Sequence, residues 1–201
     1  MTTVAELPAG FADKVLSAQS TFRSVMDAMA RPGSVQHIAS AAGTPLAMMR
    51  GAAALALTLF DHDTPIWLDA NMSATPDVGK WLKFHTSAPV VADSSIASFA
   101  LVGDPQNLPA LDRFAFGSAE YPDRSTTLIL QVESLTSGST IELQGPGIDG
   151  TAALRASIQP ADLFERLSIN AALFPRGIDV VLVHDDCVVA IPRTTRLVRR
   201  G

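Results

Sequence analysis

The chain has 201 residues, enough for one large domain or two small ones, and carries a formal net charge of -5. With a pI near 5.2, a broad basic face for nucleic acid is excluded, although local basic sites are not. Hydrophobic residues make up 47% and charged residues only 17%, so apolar side chains outnumber the charge available to cover them. Two readings stand: surfaces that partners cover, or an alanine-rich, well-packed monomer.

The opening residues 1–11 include Glu6 and lack both a positive start and an apolar h-region, which argues against a secretory signal. In chain order, Phe11, Val15, Phe22, Val25, Met26 and Met29 recur at helical spacing, and Arg31-Pro32-Gly33 supplies the stop, so an amphipathic first helix is expected. Residues 45–60 are apolar on nearly every face and suit a helix buried in a core or interface. That stretch contains Arg50 and falls short of the ~20 residues needed to cross a bilayer. Asp61-His62-Asp63-Thr64-Pro65 breaks the chain. Short extended runs follow at residues 66–68, 89–92 and 99–102, separated by segments long enough for single helices.

The second half opens with a strongly β-prone run at residues 126–132, which Ser137-Gly138-Ser139 is expected to turn back on residues 140–143 as a hairpin. Pro160-Ala161-Asp162 opens a helix with apolar Leu163, Phe164, Leu167 and Leu173, closed by residues 175–177. Residues 178–183 and 188–191 make a second hairpin around Asp185-Asp186. The fold class expected is α/β, a layered mixed sheet with flanking helices. No linker, charge block or repeat appears, so a single domain over residues 1–201 is expected.

Gly145-Pro146-Gly147-Ile148-Asp149-Gly150 has the letters of a dinucleotide loop, but Pro146 lacks a backbone N–H and Asp149 sets negative charge where pyrophosphate would sit. A turn that closes a hairpin explains it better. Asp61, His62, Asp63 and His85 are of metal-ligating type, yet no H-x-x-x-H or C-x-x-C spacing supports them, and a polar turn accounts for the first three. Cys187 is the single cysteine, so no internal disulfide can form, and between strand residues it reads as an inert core thiol. A cytoplasmic setting is expected. Only Lys14, Lys80 and Lys83 could offer Schiff-base chemistry, and Lys80 and Lys83 flank Trp81 as a solvated helix face would. The basic chemistry is arginine near the C-terminus: Arg176, Arg193, Arg196, Arg199 and Arg200. Arginine forks suit phosphate or carboxylate. Arg176 and Arg193, beside Pro175 and Pro192, and His85 are the residues expected at an anion-facing or partner-facing surface; structural roles stand beside that reading.

Read in order, the segments Phe22-Arg23 to Met29-Ala30-Arg31-Pro32-Gly33, Asp63-Thr64-Pro65-Ile66-Trp67-Leu68, Phe84-His85-Thr86-Ser87-Ala88-Pro89, residues 126–132, Leu143-Gln144-Gly145-Pro146-Gly147-Ile148, Phe174-Pro175-Arg176-Gly177-Ile178-Asp179 and Ile191-Pro192-Arg193-Thr194-Thr195 resemble the H subunit of the bacterial carbon–phosphorus lyase core complex. Their fixed order over nearly the whole chain is more specific than any one motif. The resemblance implies a fold similar to the large domain of pyridoxal-phosphate transferases without the cofactor. It further implies a homodimeric building block that joins the G, I and J subunits. With the accessory L protein, the G, H and I subunits resemble a synthase that displaces adenine from ATP with an alkylphosphonate. Nucleosidase chemistry is attributed to the I subunit and C–P cleavage to the iron–sulfur J subunit, so an accessory role is implied here. No catalytic, cofactor-binding or metal-ligating residue is carried over. The alternative is an independent small-molecule transferase with a cryptic cofactor or nucleotide site.

Overall fold

The computed structural model describes residues 7–38, 43–158 and 160–198. Two sheets dominate it. The larger has seven strands: β1 (Gln36–His37), β2 (Ile66–Leu68), β3 (Val90–Val91), β4 (Phe99–Val102), β5 (Thr127–Gln131), β8 (Asp179–His184) and β9 (Cys187–Ile191), in the spatial order β1-β9-β8-β5-β4-β2-β3. The smaller is antiparallel, with β6 (Ser134–Gln144) between β7 (Ala152–Ser157) and β10 (Arg196–Val198). In the large sheet β3, β2, β4, β5 and β8 run parallel, while β9 and β1 are antiparallel additions on one side. The expected α/β class with a mixed sheet is what the chain adopts.

Its central strands are apolar without alternation because both faces are covered. From β5, Ile129 faces one core and Leu128 and Leu130 the other; from β8, Val181 and Val183 face the first and Val180 and Leu182 the second. The first core is closed by α1 (Lys14–Ala30), α2 (Arg50–Leu59) and α4 (Pro76–Thr86), which follows the single turn α3 (Ala70–Ser73). The second is closed by the small sheet, by α5 (Leu163–Ala172) and by Leu108, Leu111 and Phe114 of an irregular stretch.

Local chemistry sets these elements. Asp13 caps α1, its Oδ1 accepting from the N–H groups of Val15 and Leu16 at 3.1 and 2.9 Å. Pro76 stands at the first position of α4, where no N–H is missed, and Ser87 at φ 59° ends that helix. Trp81 of α4 is fully buried, which at the usual area coefficient stabilises by roughly 4–6 kcal/mol before entropy is subtracted. Its Nε1 donates to the Pro8 carbonyl at 2.8 Å, fastening the segment ahead of α1.

Four expectations are corrected. The run 126–132 does not pair with 140–143: β5 lies centrally between β4 and β8, and the chain changes sheets after Gln131. A strand buried on both faces needs neighbours on both edges, which a surface hairpin would not supply. Ser137-Gly138-Ser139 is a register shift within β6, with Gly138 at φ 107° close to the Ala156 carbonyl, so it is a bulge rather than a turn. The expected helix over 45–60 starts only at Arg50, because the Met49 N–H is taken by the Gln131 side chain at 2.6 Å and Met49 is extended. Between β3 and β4 the chain makes only the 3-10 turn Ser94–Ile96 rather than an α-helix.

Other expectations hold. The β8–β9 hairpin turns at Asp185-Asp186 with Asp185 at φ 50°, α5 falls where expected, and Gly145 to Gly150 joins β6 to β7 with no helix after it. Gly147, at φ 81°, would place a Cβ 2.0 Å from the Ala30 carbonyl, so glycine lets this loop close on the end of α1. Among the described residues no helix is long and apolar enough to cross a membrane. Arg199 and Arg200 lie outside the described residues.

Candidate functional site

Open α/β sheets usually hold ligands beyond the carboxyl ends of their parallel strands. Here β2 runs into Asp69, β4 into Gly103-Asp104 and β5 into Val132-Glu133. Asp69 is 5% exposed and its carboxylate accepts from the N–H groups of Met72, Gly103 and Asp104 at 2.8, 2.9 and 2.8 Å. That acid is committed to tying two strand ends together. Gln131 is equally engaged, accepting from Met49 and donating to the Ala47 carbonyl at 3.0 Å. A cleft of about 190 Å³ remains, lined by Met49, Asp104, Gln106, Gln131, Glu133 and Ser157 among others. Its ionisable lining residues are carboxylic acids, a poor match to a phosphonate or triphosphate.

The three residues singled out in the sequence do not share one site. Arg193 bonds to Asp179 through Nε (3.2 Å) and Nη2 and donates from Nη1 to the Pro122 carbonyl at 2.6 Å. The Arg193 backbone N–H also donates to Asp179 at 2.8 Å. The pair is largely enclosed, with side chains 14% and 13% exposed, and it joins the start of β8 to the residues after β9. Arg176 sits in the adjoining Phe174–Pro175 loop and is exposed, as are Phe174 and, on β10, Arg196. A hollow of about 410 Å³ beside Phe174 is lined by Arg196, Gln144 and Thr194. One aromatic ring, Phe174, and one guanidinium, Arg196, thus line the same hollow.

His85 lies elsewhere, on α4. Its Nε2 is 3.1 Å from the Pro8 carbonyl, and its ring packs 4.7 Å from Trp81 and 4.9 Å from Phe84. His62 contacts Asp63 at 3.2 Å on the surface. Asp61 accepts from the Thr64 hydroxyl at 2.6 Å and from the Asp63 N–H, and these bonds hold its carboxyl below the usual value. The 61–64 corner is a self-contained turn, and His85 does not join it.

Two features escaped the sequence reading. On α1 the buried residues are Thr21, Val25 and Ala28, whereas Val15, Leu16, Phe22 and Met26 are at least half exposed. At 100° per residue, Val15, Phe22 and Met26 fall within about 40° of one another and about 110° around the axis from the buried face. The helix thus has two apolar stripes, one packed and one outward. Secondly, Cys187 is only partly buried and its Sγ lies 3.4 Å from His37 Nδ1. Desolvation, with Asp186 and then Asp185 nearby, pushes its thiol above the ordinary value.

Residues 9–198 match the model of a family described as bacterial phosphonate metabolism protein (PhnH). The chain belongs to the PhnH family. The family resembled by the ordered segments is thus the family found, and the match runs through both sheets and the five α-helices of the described residues. One relative, the alpha-D-ribose 1-methylphosphonate 5-triphosphate synthase subunit PhnH of Rhizobium meliloti (strain 1021), is 42% identical over 99% of this chain and 100% of its own length. Another, a putative C-P lyase subunit protein HtxG of Stutzerimonas stutzeri, is 31% identical over 100% of this chain and 97% of its own.

Proposed function

We propose that the chain is a cytoplasmic accessory subunit of a carbon–phosphorus lyase core complex in organic phosphonate catabolism. It folds as one domain, forms a homodimer and joins the G, I and J subunits, supporting transfer of the ribose triphosphate of ATP to an alkylphosphonate with release of adenine. Full-length likeness to a synthase subunit supports this reading. The structural observation that carries it is the outward stripe of α1, Val15, Phe22 and Met26, which a lone chain in water has no reason to keep. Arg196 beside exposed Phe174 supplies a second partner-facing or anion-facing surface, exposed Arg176 follows on the Phe174–Pro175 loop, and Arg193 buttresses that loop's surroundings through Asp179.

The layered sheet accords with a fold like the large domain of pyridoxal-phosphate transferases. Lys80 and Lys83 both lie on α4, and Lys80, with its side chain 68% exposed, reaches Asp77 at 3.9 Å. That position favours the accessory reading over a cryptic cofactor site.

Co-expression with the G, I and J subunits tests the proposal. The unaltered chain co-elutes with them, while Phe22→Ser combined with Met26→Ser keeps its circular dichroism and drops out of the complex. Failure of the unaltered chain to co-elute overturns the subunit role; undiminished co-elution of the double variant overturns the assignment of α1.

A further inference from the structure

The β1–β9 edge of the large sheet brings together side chains that are far apart in sequence. In the antiparallel pairing His37 stands directly opposite Cys187, and the neighbouring Ile38 N–H donates to the Asp186 carbonyl at 2.8 Å. The 37/187 position is therefore a non-hydrogen-bonded one, where facing side chains approach most closely. Cys187 Sγ lies 3.4 Å from His37 Nδ1 and 3.7 Å from Asp186 Oδ1. One donor atom from each of His37, Asp186 and Cys187 falls within 4.8 Å of the others.

The two separations from the Cys187 sulfur match those around a tetrahedral cation. Bonds of about 2.3 Å to sulfur and about 2.0–2.1 Å to nitrogen or oxygen, at tetrahedral angles, put the ligand atoms about 3.6 Å apart. The donor set mixes thiolate, imidazole and carboxylate, which suits zinc better than a hard ion such as magnesium. Asp185 adds a second negative charge at the same turn. The backbone there is held in place: the Gly51 N–H at the start of α2 donates to the Asp185 carbonyl at 2.6 Å, and a Cβ on Gly51 would lie 2.9 Å from that oxygen. Ser24 of α1 donates to the His37 carbonyl at 2.9 Å, fixing the other strand.

We propose that His37, Asp186 and Cys187 form a binding site for a zinc-type divalent cation, with a fourth position open to solvent, which clips edge strand β1 to β9. As the sulfur–metal bond forms, the Cys187 thiol gives its proton to solvent, so one proton leaves for each ion bound. The site is independent of partner subunits and stands or falls on the isolated chain.

Titration of the untagged full chain with cobalt(II) tests it. Expected is one equivalent bound, with a near-ultraviolet thiolate-to-cobalt band that zinc abolishes by displacement, and a melting temperature raised by zinc. Cys187→Ser removes the band and the zinc-dependent stabilisation. His37→Ala and Asp186→Asn each weaken binding at least about tenfold, while His62→Ala, at the other surface histidine, changes nothing. Absence of the band, its survival in Cys187→Ser, or wild-type affinity in His37→Ala overturns the proposal. Should Cys187→Ser fail to fold, His37→Ala and Asp186→Asn decide the matter, since neither position is fully buried.

Discussion

Replacing Arg193 with alanine separates a structural role from a ligand-binding one. The change removes two side-chain bonds to Asp179 and one to the Pro122 carbonyl, leaving a carboxylate that is 13% exposed with only a backbone N–H as partner. Breaking one side of a buried ion pair costs about 3–5 kcal/mol; the residual exposure of Asp179 points to the lower end, about 3 kcal/mol. For a chain of this length each kcal/mol moves the melting temperature by about 2–4 °C, so a fall of about 6–12 °C is expected. Thermal melts of Arg193→Ala, Asp179→Ala and the double variant read it, and the double variant loses less than the sum of the singles by at least about 1 kcal/mol. A fall under about 2 °C for Arg193→Ala, or strict additivity, refutes the argument and returns Arg193 to solvent or to a ligand.

Two further outcomes follow from local geometry. Gly147→Ala, with a Cβ driven against the Ala30 carbonyl at φ 81°, destabilises by more than about 2 kcal/mol, whereas Gly150→Ala at φ 70°, with nothing within 4 Å, costs about 1 kcal/mol; urea unfolding that ranks them equally contradicts the contact. Alkylation of metal-free Cys187 by iodoacetamide is slow at neutral pH and reaches half its maximal rate above the usual thiol value of about 8.5, because desolvation and the Asp186 and Asp185 carboxylates favour the protonated form. Asp186→Asn lowers that midpoint, and a midpoint at or below the ordinary value contradicts the electrostatics.

Elements built from neighbours in sequence were the legible ones. The apolar period from Phe11 to Met29 and Arg31-Pro32-Gly33 after it bound α1 within a few residues, and Asp185-Asp186 between two valine-rich runs marked the β8–β9 hairpin. The family was legible too, since the order of several weak segments constrains far more than any one of them. What escaped depended on the third dimension. Nothing local in residues 126–144 says that the chain leaves one sheet for another, because β5 and β6 share the same β propensity and differ only in which neighbours they meet. The apolar period of α1 was visible, but its direction was not: Thr21 and Ala28 pack inward while Phe22 and Met26 point out. His37 and Cys187 stand 150 positions apart and meet only through strand register. Arg193 and Arg176 read alike beside their prolines, and only Asp179 tells them apart.

Both margins of the large sheet are two-residue strands, β1 on one side and β3 on the other. Strands this short offer a newcomer hardly any unpaired main-chain groups, a common protection against edge-to-edge polymerisation. On the large sheet of a molecule so rich in greasy residues, those blunt margins leave association to side-chain surfaces such as a helix flank, where the match between partners can be selective, rather than to indiscriminate backbone zippering.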